Sequence, residues 1–144
     1  MPDIVTQNIE LIEKVYRGFD QQDVQMVLDV LDENIEWNEA EGTYWHADSP
    51  YIGHQAILDG VFAKIAEDFD DMRVIPDRIV GLGKTVIMQG RYQAKSCRRT
   101  GRPLDAQVVH VWDLHDGKAF RFQQYVDSYH VSETMGLNTV QHPN

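Results

Sequence analysis

The stretch from Leu104 to Asp127, LDAQVVHVWDLHDGKAFRFQQYVD, constrains the fold more than any other part of the chain. An Asp116-Gly117 pair sits between two alternating apolar runs, the strongest short-range signal of a β-hairpin. Each arm is about ten residues, long for an ordinary strand. In the first arm Val108, His110, Trp112 and Leu114 share a face, and Val109 and Val111 share the other. Strict alternation in the second arm puts Phe120, Phe122, Gln124 and Val126 on one face, with Arg121, Gln123, Tyr125 and Asp127 opposite. Two groups able to exchange a proton, His110 and Asp127, thus stand in an aromatic and aliphatic hairpin.

The preceding chain reads as helices and then strands. Val5, Ile9, Ile12, Val15, Tyr16 and Phe19 fall at helical spacing and predict a helix over 3–19. Asp23 is a capping residue for a second helix with Val24, Val27, Leu28 and Leu31 on its buried stripe. A short strand is predicted over 34–38, followed by an irregular aromatic stretch, EAEGTYWHADSPYIG, of the kind that covers something. Helical spacing returns over 53–70, with Ile57, Leu58, Val61, Phe62, Ile65 and Phe69 facing inward. Strands follow at 72–80, where Pro76 points to an edge or a bulge, and at 86–95. Arg98 to Pro103 turns the chain into the long hairpin, and its three arginines read as a solvated basic tip. One helical turn is predicted near Val131 to Met135, with 137–144 a frayed tail. Helices gathered before a meander imply an α+β domain: three helices on one face of a strongly curved, mainly antiparallel sheet, leaving a cone-shaped hollow between.

Composition excludes several functions. With 13 basic and 23 acidic residues the net charge is −10, which repels nucleic-acid phosphates and anionic membranes. At 144 residues one domain, 1–144, is expected. The lone Cys97 allows no internal disulfide, and the acidic N-terminus does not read as a signal peptide, so a cytoplasmic protein is expected. The six histidines show neither His-x-His nor His-x-x-x-His spacing, so no metal and no other cofactor is expected.

The stretch YRGFDQQDVQMVLDVLDENIEW, the YIGHQAI helix start and the late VHVWDLHDGK followed by YVD resemble the nuclear transport factor 2-like superfamily, within it the SnoaL-like polyketide cyclases and ketosteroid isomerase-like proteins. The resemblance runs from about Ile9 to Gly136 and implies a cone-shaped α+β barrel. It places Glu39 where the steroid isomerases keep their carboxylate base, and His110 where they keep a protonated aspartic acid that donates to the oxyanion. Their tyrosine donor falls on Val15, one residue from Tyr16. Asp127 resembles the aspartate base of the SnoaL-like cyclases, and His110 their strand histidine.

These residues carry two kinds of reading. Asp127 is either a desolvated base or the cap of the short helix that follows, and a bulge is required to bring it to the face of Gln124. His110 is either a donor to a developing enolate or a core histidine with ordinary partners. Glu39 is an alternative base or a solvated loop carboxylate. Asp127, His110, Glu39 and Tyr16 are therefore the candidate catalytic residues, with Trp37, Tyr51, Phe62, Met88, Tyr92, Trp112, Phe122 and Gln124 expected to line the pocket. The function expected is cofactor-independent proton transfer on an apolar, carbonyl-bearing small molecule, as an isomerase, cyclase or dehydratase. The alternative is a non-catalytic ligand-binding or interaction module. A homodimer through the outer sheet face, with Val109, Val111, Phe120 and Tyr125, is the expected partner arrangement; no nucleic acid or membrane is.

Overall fold

Asp3 caps the first helix by accepting from the Thr6 amide, and the helix α1 (Ile4–Gln21) turns its stripe of Ile12, Val15 and Tyr16 into the core. The computed structural model describes residues 3–138. Asp23 caps α2 (Val24–Leu28) through the Met26 amide, as its position predicts. This helix is shorter than expected: Leu31 already belongs to β1 (Leu31–Asn38), and Val24 is 44% exposed. The irregular segment that follows holds a 3₁₀ turn at Tyr44–Asp48 and a two-residue strand, β2 (Tyr51–Ile52).

The next helical region is continuous in direction but not uniform. It runs as α3 (Gly53–Ile57), a π-helical turn (Leu58–Phe62) and α4 (Ala63–Asp68). The wide turn coincides with a close approach: a Cβ on Gly60 would stand 2.4 Å from the Tyr51 ring. After β3 (Phe69–Asp70) come β4 (Arg73–Leu82) and β5 (Thr85–Ala94), then the short β6 (Ser96–Cys97), which pairs with β3. The long hairpin is β7 (Leu104–His115) and β8 (Lys118–Val126), turned at Asp116 and Gly117, both with positive φ. The chain then forms α5 (Ser128–Thr134). The expected frayed tail lies mostly outside the described residues, with only 137 and 138 seen, in no regular structure.

The main sheet has six strands in the order β2-β1-β8-β7-β5-β4. All pairs are antiparallel except β1 with β8, which is parallel. Pro76 lies on the edge strand at a register shift between Pro76 and Arg78, as its missing N–H demands. Opposite this shift a Cβ on Gly90 would stand 2.2 Å from the Ile75 carbonyl oxygen, so only glycine fits.

Alternation holds along β7, where Val108, His110, Trp112 and Leu114 are all buried. It breaks in β8. A shift between Asp113 and Leu114 pairs Asp113 with Arg121 but Leu114 with Ala119. The extra residue flips the strand's start, so Ala119 is buried while Phe120 is 44% exposed. Phe122 and Gln124 keep the inward face.

Two apolar clusters fill the interior. The larger joins α1, α3 and the sheet around Trp37, Trp112 and Phe122. The smaller gathers Trp45, Phe69, Leu104, Val131 and Met135 at the α5 end. Ile65, Tyr92 and Val126 pack against both, which marks the seam where the hollow lies.

Candidate functional site

The hollow between the helices and the sheet is a cavity of about 500 Å³, within the size range of small-molecule sites. Its walls are apolar: Phe19 from α1, Val61 and Phe62 from the π turn, Ile65 from α4, and Val74 from β4. The exposed lining residues Gln22, Asp71 and Arg98 mark its solvent end. Arg98 is held there by Asp70, Nε to Oδ1 at 2.9 Å, so part of the predicted basic tip belongs to the opening. Four polar side chains line the buried end: Glu39, Tyr92, His110 and Gln124.

Glu39 reaches this end by parity. Trp37 is inward on β1, Asn38 turns out to Glu36 and to the Phe122 carbonyl, and Glu39 turns in again. Its backbone is pinned where the strand stops: its N–H donates to Ser49 Oγ at 3.0 Å, and His46 Nδ1 donates to its carbonyl at 3.1 Å. The covering loop therefore fixes the carboxylate's root. The side chain is 2% exposed, and Oε2 has no hydrogen-bond partner. Burial pushes its pKa up to about 8, with the neighbouring Trp37 indole pulling weakly the other way.

His110 stands at the centre of a chain of hydrogen bonds. Its Nδ1 lies 2.7 Å from the Tyr16 hydroxyl and its Nε2 lies 2.5 Å from the Tyr92 hydroxyl. The Trp112 indole donates to Tyr16 Oη at 2.9 Å. The Gln124 amide donates to Tyr92 Oη at 2.8 Å, while its Oε1 accepts from the Ala40 amide at 3.2 Å. The register supports this: His110 pairs with Met88 on one side and Gln124 on the other, and Tyr92, two inward positions along β5 from Met88, pairs with Ala106. Burial lowers the His110 pKa to about 3, so the imidazole is neutral across the physiological range. Burial also raises both phenols above their ordinary value, and for Tyr92 the charge of Glu39 adds to the effect. Both tyrosines therefore keep their protons and can donate.

The structure brings Glu39 and His110 together at one cavity end, as expected of two of the four catalytic candidates. Tyr16 is buried behind His110 and does not line the cavity. Asp127 does not reach it. It is exposed, it caps α5 by accepting from the His130 amide at 3.1 Å, and the bulge of β8 lies at the far end of the strand. The capping reading of Asp127 is the one its position fits. Among the expected lining residues, Trp37, Phe62, Tyr92 and Gln124 face the cavity. Met88, Trp112 and Phe122 do not: they are at most 1% exposed and form the core beneath, where Phe122 packs on Trp37 with ring centroids 3.8 Å apart. Tyr51 also lies off the cavity, packed on Gly60 with its hydroxyl donating to the Trp45 carbonyl at 2.6 Å. Tyr92 was legible as an inward aromatic, but its place as the hydroxyl in contact with His110 was not, because that contact is diagonal across two strands.

Among the described residues no group of three or more His, Cys, Asp or Glu gathers in a way that could hold a metal ion. No helix among them is long and apolar enough to cross a membrane.

The SnoaL-like domain family matches residues 12–122, and the chain belongs to it. A comparison with curated proteins finds no match. Solved structures are similar over nearly the whole length. A nuclear transport factor 2-like protein from Burkholderia thailandensis E264 is 29% identical, with 89% of this chain and 96% of that one covered at a TM-score of 0.84. TerC, co-crystallised with polyporic acid, is 27% identical, with 90% and 98% covered at 0.80. IdmH from Streptomyces antibioticus, proposed to be a polyketide cyclase, is 17% identical, with 90% and 99% covered at 0.74, and shares the fold.

Proposed function

We propose that the cavity takes an apolar, carbonyl-bearing small molecule and that the protein moves a proton on it without a cofactor. Isomerisation, cyclisation and dehydration all begin with the same step, loss of a proton next to a carbonyl. The observation that carries this reading is Glu39, a carboxyl buried at the end of an apolar cavity, with an unpaired oxygen and a pKa pushed up to about 8. A base with a pKa near the working pH takes a carbon-bound proton far better than an ordinary carboxylate does. The negative charge that moves to the carbonyl oxygen meets the hydroxyl and imidazole cluster at the same end, among apolar walls where such hydrogen bonds are strong. The apolar walls hold the rest of the molecule and keep water away from the carbanion-like state. Family membership supports the reading, and TerC with polyporic acid supports a cavity that holds a small organic molecule.

Deuterium exchange next to the carbonyl of 2-tetralone, followed by proton NMR in D₂O, tests this without knowledge of the natural substrate. The wild-type protein should accelerate exchange, and Glu39→Gln should lower the accelerated rate by roughly 10²–10⁴-fold, the usual worth of a general base. Equal rates in the two proteins would remove Glu39 from the mechanism. Binding of the ketone with no acceleration would favour a ligand-binding module.

The cytoplasmic, dimeric state belongs to the same proposal. Val109 and Val111 are half-buried on the outer sheet face, and Phe120 and Tyr125 are 44% and 58% exposed beside them. A homodimer through this face covers them, and light scattering on a sizing column measures it.

A further inference from the structure

We propose that the hydrogen-bond chain has a single direction, from Trp112 through Tyr16 and His110 to Tyr92, and that it leaves the Tyr92 hydroxyl proton as the donor to a ligand carbonyl. This rests on reading the buried cavity end as a carbonyl site, and it assigns the contact with the ligand to Tyr92 rather than to His110 or Tyr16.

The direction follows from counting donors. At one end the Trp112 indole can only donate, and it donates to Tyr16 Oη at 2.9 Å. At the other end the Ala40 amide occupies Gln124 Oε1, so the Gln124 amino group faces Tyr92 Oη and donates to it at 2.8 Å. Donors push inward from both ends. A neutral imidazole between two hydroxyls accepts from one and donates to the other. One of the two hydroxyls therefore receives two hydrogen bonds and must send its own proton off the chain.

If that hydroxyl were Tyr16, its proton would have nowhere to go. Tyr16 is buried, and its hydroxyl has Trp112 and His110 as its partners among the described residues. A buried O–H without an acceptor loses its hydration and gains nothing in return. Tyr92 lines the cavity, where a ligand can accept. So Tyr16 donates to Nδ1, the Nε2–H donates to Tyr92, and the Tyr92 proton points to the cavity. Both ring nitrogens of His110 are then occupied, which makes His110, Tyr16 and Trp112 positioning residues. Each hydrogen bond in the row polarises the next, so the Tyr92 hydroxyl is a stronger donor than a phenol alone.

Nitrogen-15 NMR of the histidine ring reads the direction without any substrate. His110 should show a protonated Nε2 and a bare Nδ1 in the wild-type protein near pH 7, and a protonated Nδ1 would overturn the proposal. Tyr16→Phe removes the hydroxyl that donates to Nδ1, and should add a detectable share of the other tautomer. A pure Nε2–H form in that variant, folded as judged by its amide spectrum, would overturn the role given to Tyr16. If the variant does not fold, the wild-type tautomer still decides the direction. For the ligand contact, 2-tetralone labelled with carbon-13 at the carbonyl should shift downfield with wild type and lose that shift with Tyr92→Phe. The same carbonyl signal in both proteins would overturn the assignment. None of these readings needs turnover or Glu39, so they can fail while the proton-transfer reading stands, and the reverse.

Discussion

Glu39 and Tyr92 face one end of one cavity, close enough that the charge of the carboxylate holds the phenol's proton more tightly. An acceptor of protons and a donor of hydrogen bonds are thus set against the same small space, with apolar walls around them. The remaining polar groups there serve these two. Ser49 and His46 root Glu39, and Gln124 and His110 orient Tyr92.

Stability should depend on pH through two buried groups acting in opposite directions. Glu39 has a raised pKa, so the unfolded chain releases its proton from pH 4.5 upward while the folded chain holds it to about 8. Stability is lost over that window as pH rises. His110 has a lowered pKa, so the unfolded chain takes a proton below pH 6.5 and the folded chain does not until about 3. Stability is lost over that window as pH falls. Between 4.5 and 6.5 the two slopes cancel, so these groups predict a plateau there. Glu39→Gln should abolish the alkaline loss, which is on the order of 4–5 kcal/mol for a shift of this size. Urea unfolding of both proteins at pH 5, 7 and 9 measures it.

Tyr92→Phe should reduce proton exchange on a bound ketone by roughly 10²-fold, the lower range for removing one donor to a developing oxyanion. It also strands the Gln124 amino group and the His110 ring. That leaves buried donors unpaired, at about 1–3 kcal/mol, read by thermal or urea unfolding.

Asp127→Ala should cost about 1 kcal/mol, the worth of a helix N-cap, and leave ketone exchange unchanged. A drop in exchange comparable to that of Glu39→Gln would return Asp127 to the chemistry.

Gly90→Ala should destabilise by about 1–3 kcal/mol or more, because its Cβ meets the backbone of Ile75 and not a side chain that can swing away. The strain falls on the β4 edge, so amide exchange in 73–82 should rise before the rest of the sheet opens.

Much of the architecture was legible because period and turn chemistry agreed. The Asp-Gly turn, the Asp23 cap and the edge position of Pro76 each rest on one local rule, and each held. The π turn at Leu58–Phe62 was not legible, since its apolar spacing also suits an α-helix and the Tyr51 ring it coincides with lies in another element. Strict alternation set Phe120 beside Phe122, whereas it lies outside with Tyr125, because one bulge reverses parity for every residue before it. At the site, His110 could be found as a polar residue in inward register, whereas Glu39, outside the expected strand, was reached through the family resemblance. Trp112 and Phe122 share that register, yet they end beneath the cavity because depth depends on how the sheet curves, which alternation does not encode. Asp127 had two physical readings of similar weight, and the short helix after it decided between them.

The proposed function depends on burial poising Glu39 as a base near neutral pH. A carbon-13 NMR titration of the glutamate side-chain carboxyls, with the Glu39 signal assigned by its absence in Glu39→Gln, measures this directly. A midpoint near 8 in the folded protein is the expected result. A Glu39 midpoint near 4.5, the ordinary value, would contradict it.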